Sequence, residues 1–103
     1  MKEEIKVHSE EWFKECFKDC DATQKAKKAS VILCKKYNIN GICDPAYIAN
    51  CICFNKELNG EDSTSQQVTN KILRCYETNI NKYRIGTIKE AEQFIYNTIK
   101  GCF

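Results

Sequence analysis

The sequence has few of the residues on which most catalytic sites depend. Its 103 residues include one histidine, one tryptophan, one proline and four glycines. The histidine, His8, lies in a charged segment that we expect to be a flexible, solvated tail over residues 1–8, so neither a Ser-His-Asp nor a Cys-His arrangement is expected. No glycine-rich phosphate loop, HExxH motif or EF-hand spacing occurs. We therefore expect a protein that is not an enzyme and needs no cofactor.

Other absences narrow the class of protein further. No CxxC pair is present, and one tail histidine cannot complete a zinc site, so no metal is expected. No run approaches the ~18 apolar residues of a membrane span. The segment MKEEIKVH is charged and has no apolar stretch, so it is not a secretory signal peptide and suits a mature chain with an added start methionine. Neither stable membrane insertion nor nucleic-acid binding is expected, since the net charge is only +2.

Cysteine, by contrast, is abundant. Eight cysteines in so short a chain are typical of a disulfide scaffold. Four bridges would allow 105 connectivities and would place the protein in an oxidising, secreted environment. We expect one disulfide-rich domain over residues 9–103, acting as a monomer, whose cysteines are Cys16, Cys20, Cys34, Cys43, Cys51, Cys53, Cys75 and Cys102.

Basic residues are concentrated in the middle of the chain. Residues 22–56 carry six lysines against Asp44 alone, whereas residues 1–21 have an acidic excess and residues 57–103 are balanced. Such a cluster can steer an acidic partner, although a solvated helix face gives the same pattern. An exposed aromatic ring beside a lysine is a common binding pair. The predicted contact surface consists of Lys25, Lys28, Lys35, Lys36, Tyr37 and Phe54.

Apolar periodicity and capping residues predict four helices. Ser9 can cap the first, Asp21 the second and Ser63 the third, and Thr87 with Glu90 forms a capping box for the last. Gly86 is expected to end the third. Tyr37 also falls on the apolar side of the second helix. The predicted helices cover roughly residues 10–20, 22–37, 64–85 and 88–102, with a polar loop over residues 55–67.

Between the second and third helices, the residues favour strands. Gly41–Cys43 and Tyr47–Phe54 are rich in strand formers and are separated by Asp44-Pro45-Ala46, which predicts a short β-hairpin. Cys16 and Cys20 would share one face of a helix, and Cys51 and Cys53 one face of a strand. The expected fold is therefore α+β, with about four helices packed on an antiparallel hairpin and four disulfides.

These cysteine doublets resemble a known superfamily. Cys16-x-x-x-Cys20, Gly41-Ile-Cys43 and Cys51-Ile-Cys53 are similar to the cystine-stabilised α/β superfamily of defensins and arthropod toxins, and residues 15–54 are locally similar to centipede venom toxins. The resemblance implies Cys16–Cys51 and Cys20–Cys53 bridges. A second register would use Cys34 and Cys43 instead.

The resemblance implies a secreted, toxin-like effector that binds a protein target, most plausibly an ion channel. Two alternatives remain open at this stage. One is a defensin-like antimicrobial protein acting on anionic membranes, which the modest net charge disfavours. The other is a secreted carrier of a small apolar ligand, because packed helices can enclose a cavity.

Overall fold

The computed structural model describes residues 5–54 and 65–102, and every regular element within these ranges is helical. These described ranges contain five α-helices, the last of which is followed by a short 3₁₀ turn over Lys100–Cys102. The helices are α1 (Glu10–Cys16), α2 (Gln24–Lys36), α3 (Asp44–Cys53), α4 (Ser65–Tyr83) and α5 (Ile88–Ile99).

Side-chain caps fix the starts of three helices. The Oγ of Ser9 accepts a hydrogen bond from the Trp12 amide at 3.1 Å, which confirms the predicted first cap. Thr87 Oγ1 accepts from the Glu90 amide at 3.1 Å, as the predicted capping box requires. Helix α2 is capped two residues later than predicted, by Thr23 rather than Asp21. Ser63 lies outside the described residues.

The predicted β-hairpin is wrong, because its second strand is helix α3. Pro45 stands in the first turn of this helix, where a missing amide proton costs nothing, rather than in a hairpin turn. Pro45, Ile48, Ala49 and Ile52 then follow helical spacing, and all four are buried. Burial of this face outweighs the strand preference of the isoleucines, so the fold is all-α rather than α+β.

The expected disulfides are also absent. All eight cysteines lie within the described residues, and all are free thiols. Residues two apart on a helix point about 200° away from each other, so Cys51 and Cys53 cannot present a sulfur pair to one neighbour. Helix α1 ends at Cys16, so Cys20 follows in a turn and does not continue that face. The geometry that would close Cys16–Cys51 and Cys20–Cys53 is therefore not formed.

Helix α2 is central to the packing. It packs against α3 and α5, α4 packs along α5, and the main helix partner of α1 is α3. One side of α2 enters the core through residues such as Leu33, which has no exposed surface. Because α1 rests on α3 rather than lying flat on α2, an open cleft remains between α1 and α2.

The end of α4 is set by backbone conformation. Arg84 has φ 53° and Gly86 has φ 82°, both in the left-handed region that ends a helix. Gly86 thus occupies the stop position that the sequence predicts. Of the predicted loop over residues 55–67, residues 55–64 lie outside the described ranges, and Ser65–Gln67 form the first turn of α4.

Candidate functional site

One candidate site is the cleft between α1 and α2. Its volume is about 850 Å³, and α1 with its flanking residues forms one wall while one face of α2 forms the other. The lining residues on the α2 side recur at three- and four-residue intervals, which places them on a single face of that helix. The cleft is lined by His8, Glu10, Phe13, Lys14, Phe17, Gln24, Lys27, Lys28, Val31, Ile32 and Lys35.

The floor of the cleft is apolar. Phe13 and Phe17 come from the α1 side, and their rings stack with centroids 6.2 Å apart. Val31 and Ile32 come from α2, opposite the side of that helix that enters the core. Ile32 leaves 48% of its surface exposed, which is unusual for a side chain of this type. Phe17, Val31 and Ile32 therefore leave apolar surface accessible in the cleft, whereas Phe13 is only 7% exposed and contributes little of it.

Lysines surround this floor. Lys27 Nζ lies 5.8 Å from the centroid of the Phe17 ring, and Lys35 Nζ lies 6.0 Å from the centroid of Phe13. Both distances are within the range of cation–π attraction. Because residue 17 faces residue 27 while residue 13 faces residue 35, α1 and α2 run antiparallel across the cleft. Four lysines line it, and Glu10 is the only acid among the lining residues, so the potential inside is positive.

His8 closes one end of the cleft. Its Nε2 lies 2.9 Å from the Ile39 carbonyl oxygen, and because a carbonyl can only accept, Nε2 carries the proton and donates. Its ring stacks on Phe13 at 5.9 Å and meets Trp12 edge-on at 5.4 Å. The expectation of a solvated tail histidine is therefore wrong at this position, and residues 1–4 lie outside the described ranges.

The predicted contact residues do not form one continuous surface. Lys28 and Lys35 line the cleft, and both are exposed. Lys25 and Lys36 are also exposed but belong to other parts of α2. The structure therefore brings two of the four predicted lysines into one site.

The two predicted aromatic residues are not part of that site. Tyr37 is only 2% exposed, because its ring packs edge-on against Phe94 at 5.9 Å. It therefore presents little surface to a partner, in contrast to the expected partial exposure. Phe54 is half-buried and caps the C-terminus of α3.

Sequence reasoning missed most of the cleft floor. Phe13 belongs to the buried core and Phe17 packs against it, and both also line the cleft. The signal that could have found it is Val31-Ile32, an apolar pair on the lysine-bearing side of α2. A helix that is apolar on two sides has two surfaces to cover.

The thiols take part in local packing. Ser30 Oγ lies 2.6 Å from the Pro45 carbonyl and donates its one proton there. Cys34 Sγ lies 4.0 Å from the Oγ of Ser30. Because the Ser30 proton is donated to Pro45, the Cys34 thiol is the donor in this second contact. Burial raises the pKa of Cys34 to about 12. Cys34 is therefore a protonated packing residue at the α2–α3 interface.

The other thiols with a neighbour also act as weak donors. Cys20 Sγ lies 3.5 Å from Asn50 Oδ1, and Cys102 Sγ lies 3.7 Å from the Lys25 carbonyl oxygen. Cys75 Sγ lies 3.8 Å from the Tyr47 hydroxyl oxygen. Burial raises the pKa of Cys16, Cys51 and Cys102, which disfavours the nucleophilic thiolate at these positions.

Neither a metal site nor a membrane-spanning helix is found among the described residues. Within residues 5–54 and 65–102, no three histidine, cysteine or acidic side chains are grouped so that they could hold a metal ion. None of the helices in these ranges combines the length and apolar character needed to cross a membrane. Comparisons with protein-family models, curated proteins and solved structures found no match for this chain.

Proposed function

We propose that this protein binds small apolar ligands in the α1–α2 cleft, as a carrier or scavenger. The observation that carries the proposal is the apolar floor of Phe13, Phe17, Val31 and Ile32 inside a cleft of about 850 Å³. Ligand sites are typically concave, mostly apolar and roughly 300–1,000 Å³ in volume.

The expected affinity follows from the apolar area that a ligand buries. Each buried methylene contributes about 0.8 kcal/mol, which corresponds to about a fourfold change in affinity per carbon while the chain still fits. Binding should therefore strengthen steadily through a homologous series of alcohols and level off once the chain outgrows the cleft. A levelling-off distinguishes a bounded site from nonspecific adsorption.

A direct test uses the neutral dye N-phenyl-1-naphthylamine, whose fluorescence rises in apolar surroundings. Ile32→Asp places a carboxylate in the cleft floor and should weaken dye binding about tenfold, the cost of a poorly solvated polar group. Ile32 is 48% exposed, so the variant should fold. The matched control is Ile42→Asp, because Ile42 is 60% exposed and lies outside the cleft. Equal dye affinity in the two variants, or no dye binding by the unmodified protein, would refute the proposal.

A secreted effector with a protein target is the second candidate. It is supported by the exposure of Lys25, Lys28, Lys35 and Lys36 along α2, but the disulfide ladder on which the toxin resemblance depended is not formed. Charge reversal at Lys28 and Lys36 separates the two functions. Loss of block of a channel current, with dye binding retained, would favour the effector. Leakage of anionic vesicles would instead favour the antimicrobial alternative.

A further inference from the structure

We infer that the cleft selects single-chain amphiphiles with a carboxylate headgroup, and that the headgroup binds at Lys27 and Lys28 while the tail runs towards Phe13 and His8. This inference rests on the proposed function and names its ligand class. It follows from the charge of the lining residues and from the difference between the two ends of the cleft.

The charge of the lining residues favours an anion. Lys14, Lys27, Lys28 and Lys35 line the cleft against Glu10 alone. A neutral ligand gains nothing from these ammonium groups, whereas a carboxylate can form charge-assisted hydrogen bonds with them. A cationic amphiphile would meet repulsion from all four. The same floor with a cationic rim therefore discriminates among ligands of equal chain length.

The two ends of the cleft are chemically different. At the end formed by Phe13, over which Lys35 lies, the ring of His8 closes the space and is held by its hydrogen bond to the Ile39 carbonyl. At the opposite end, Lys27 lies over Phe17, and Lys28 and Gln24 belong to the same first turns of α2.

Glu10 helps to fix the orientation of the ligand. It begins α1, three residues before Phe13, and therefore lies towards the end that His8 closes. The end formed by Lys27, Lys28 and Gln24 has two cations, an amide donor and no lining acid. The headgroup belongs at that end, and the methyl terminus belongs at the end formed by Phe13 and His8.

The length of the cleft suits a medium alkyl chain. Lys27 and Lys35 are eight residues apart on α2, which corresponds to a separation of about 12 Å along the helix axis. A chain that spans this distance covers Val31 and Ile32 on one side and the two phenylalanines on the other. Decanoate is a suitable probe.

The experiment compares decanoate with decanol and decyltrimethylammonium by displacement of N-phenyl-1-naphthylamine at low salt and neutral pH. Decanoate should displace the dye at a lower concentration than decanol, and the cation should be the weakest competitor. Lys27→Gln and Lys28→Gln should each weaken decanoate binding about fivefold, as expected for loss of one partly solvated ion pair, and should change decanol binding much less. The matched control is Lys36→Gln, which removes an exposed lysine outside the cleft.

Different failures identify different errors. If decanol binds as tightly as decanoate, the headgroup inference is overturned while the proposed function stands. If neither compound nor the dye binds, the proposed function itself fails. If Lys35→Gln weakens decanoate binding and Lys27→Gln and Lys28→Gln do not, the inferred orientation is overturned. Co-sedimentation with phosphatidylserine vesicles without displacement by decanoate would assign the lysines to a membrane surface and overturn the inference.

Discussion

Helix α2 has a groove on each side, and the two grooves share one motif with opposite surroundings. In the α1–α2 cleft, Lys35 Nζ lies 6.0 Å from the Phe13 ring centroid. In the smaller groove between α2 and α5, of about 380 Å³, Lys36 Nζ lies 5.1 Å from the Phe94 ring centroid. Neighbouring lysines on one helix thus contact aromatic rings on opposite sides of it.

The difference between the grooves lies in their acids and in their floors. The α2–α5 groove contains Glu90 beside Lys36, so its charges balance, and its floor includes the buried Tyr37. The cleft has four lysines for one acid and an exposed aliphatic floor. A lysine over an aromatic ring can therefore belong to a helix-packing interface or to a binding site. The balance of charge among the surrounding residues distinguishes the two.

The largest expected effect comes from truncating a buried side chain of α2, the helix that both grooves share. Leu33 lies on the core side of α2 and has no exposed surface. Leu33→Ala should lower the free energy of unfolding by about 2–5 kcal/mol, through lost burial and the cavity that remains. Urea unfolding followed by circular dichroism measures this change. A loss below about 1 kcal/mol would show that α2 is not the central packing element.

Alkaline pH should weaken the core side of α2. Burial raises the pKa of Cys34 from 9.0 to about 12, and burial together with Glu90 raises that of Tyr37 from 10.0 to about 12. The folded protein keeps protons that the unfolded chain loses above pH 9, so stability is complete below that pH and is lost as pH rises to about 12. The slope is on the order of 1.4 kcal/mol per pH unit for each group.

Urea midpoints measured across this pH range in a phosphine reductant test the prediction. Cys34→Ala, compared with its own value at neutral pH, should show a shallower slope from pH 9. Some slope should remain there, because the pKa values of Cys16, Cys51 and Cys102 are also raised, and the part that begins near pH 10, where Tyr37 titrates, should be kept. An unchanged slope in this variant would show that the Cys34 thiol does not contribute.

A smaller change should affect the α2–α5 groove and leave the cleft intact. Thr87→Ala removes the capping oxygen at the start of α5, which accepts from the Glu90 amide. The free energy of unfolding should fall by about 1 kcal/mol. Binding of the naphthylamine dye should stay the same, since α5 does not line the cleft. Weaker dye binding would show that the two grooves are coupled.

The smallest expected effect is the difference in decanoate binding between variants of Lys35 and Lys36. Lys36→Gln and Lys35→Gln each remove a cation–π contact of about 0.5–1 kcal/mol at an exposed site, so their urea midpoints should shift little and by similar amounts. Lowering the positive potential of the cleft through Lys35 should weaken decanoate binding slightly, whereas the Lys36 variant should bind as the unmodified protein does. Identical decanoate affinities would remove the electrostatic distinction between the grooves.

Local signals were sufficient where a cap and a periodic face coincide. Thr87 with Glu90 predicted the start of α5, and Gly86 predicted the stop before it. Helix α3 was misread because its isoleucines and cysteines favour strands, although Pro45 in a first turn was the contrary signal. Burial of its apolar face against α2 favours the helix, and local sequence patterns do not report such long-range contacts.

The site was predictable only in part for the same reason. The lysine cluster followed from composition, but its division between two sides of α2 depends on where α1 and α5 pack. The contact between His8 and Ile39 joins residues 31 apart in the chain. No short-range pattern predicts such a contact, so the closed end of the cleft could be found only in three dimensions.

The attachments of His8 and Cys102 have a practical consequence. His8 is fastened to Ile39, just past the C-terminal end of α2, and the Cys102 thiol contacts the Lys25 carbonyl in its first turn. The two attachment points are therefore separated by the length of this 13-residue helix, about 20 Å. Energy transfer between fluorophores placed beside these residues would report the distance along α2. It would detect fraying at either end of the described chain while the middle of the protein stays folded.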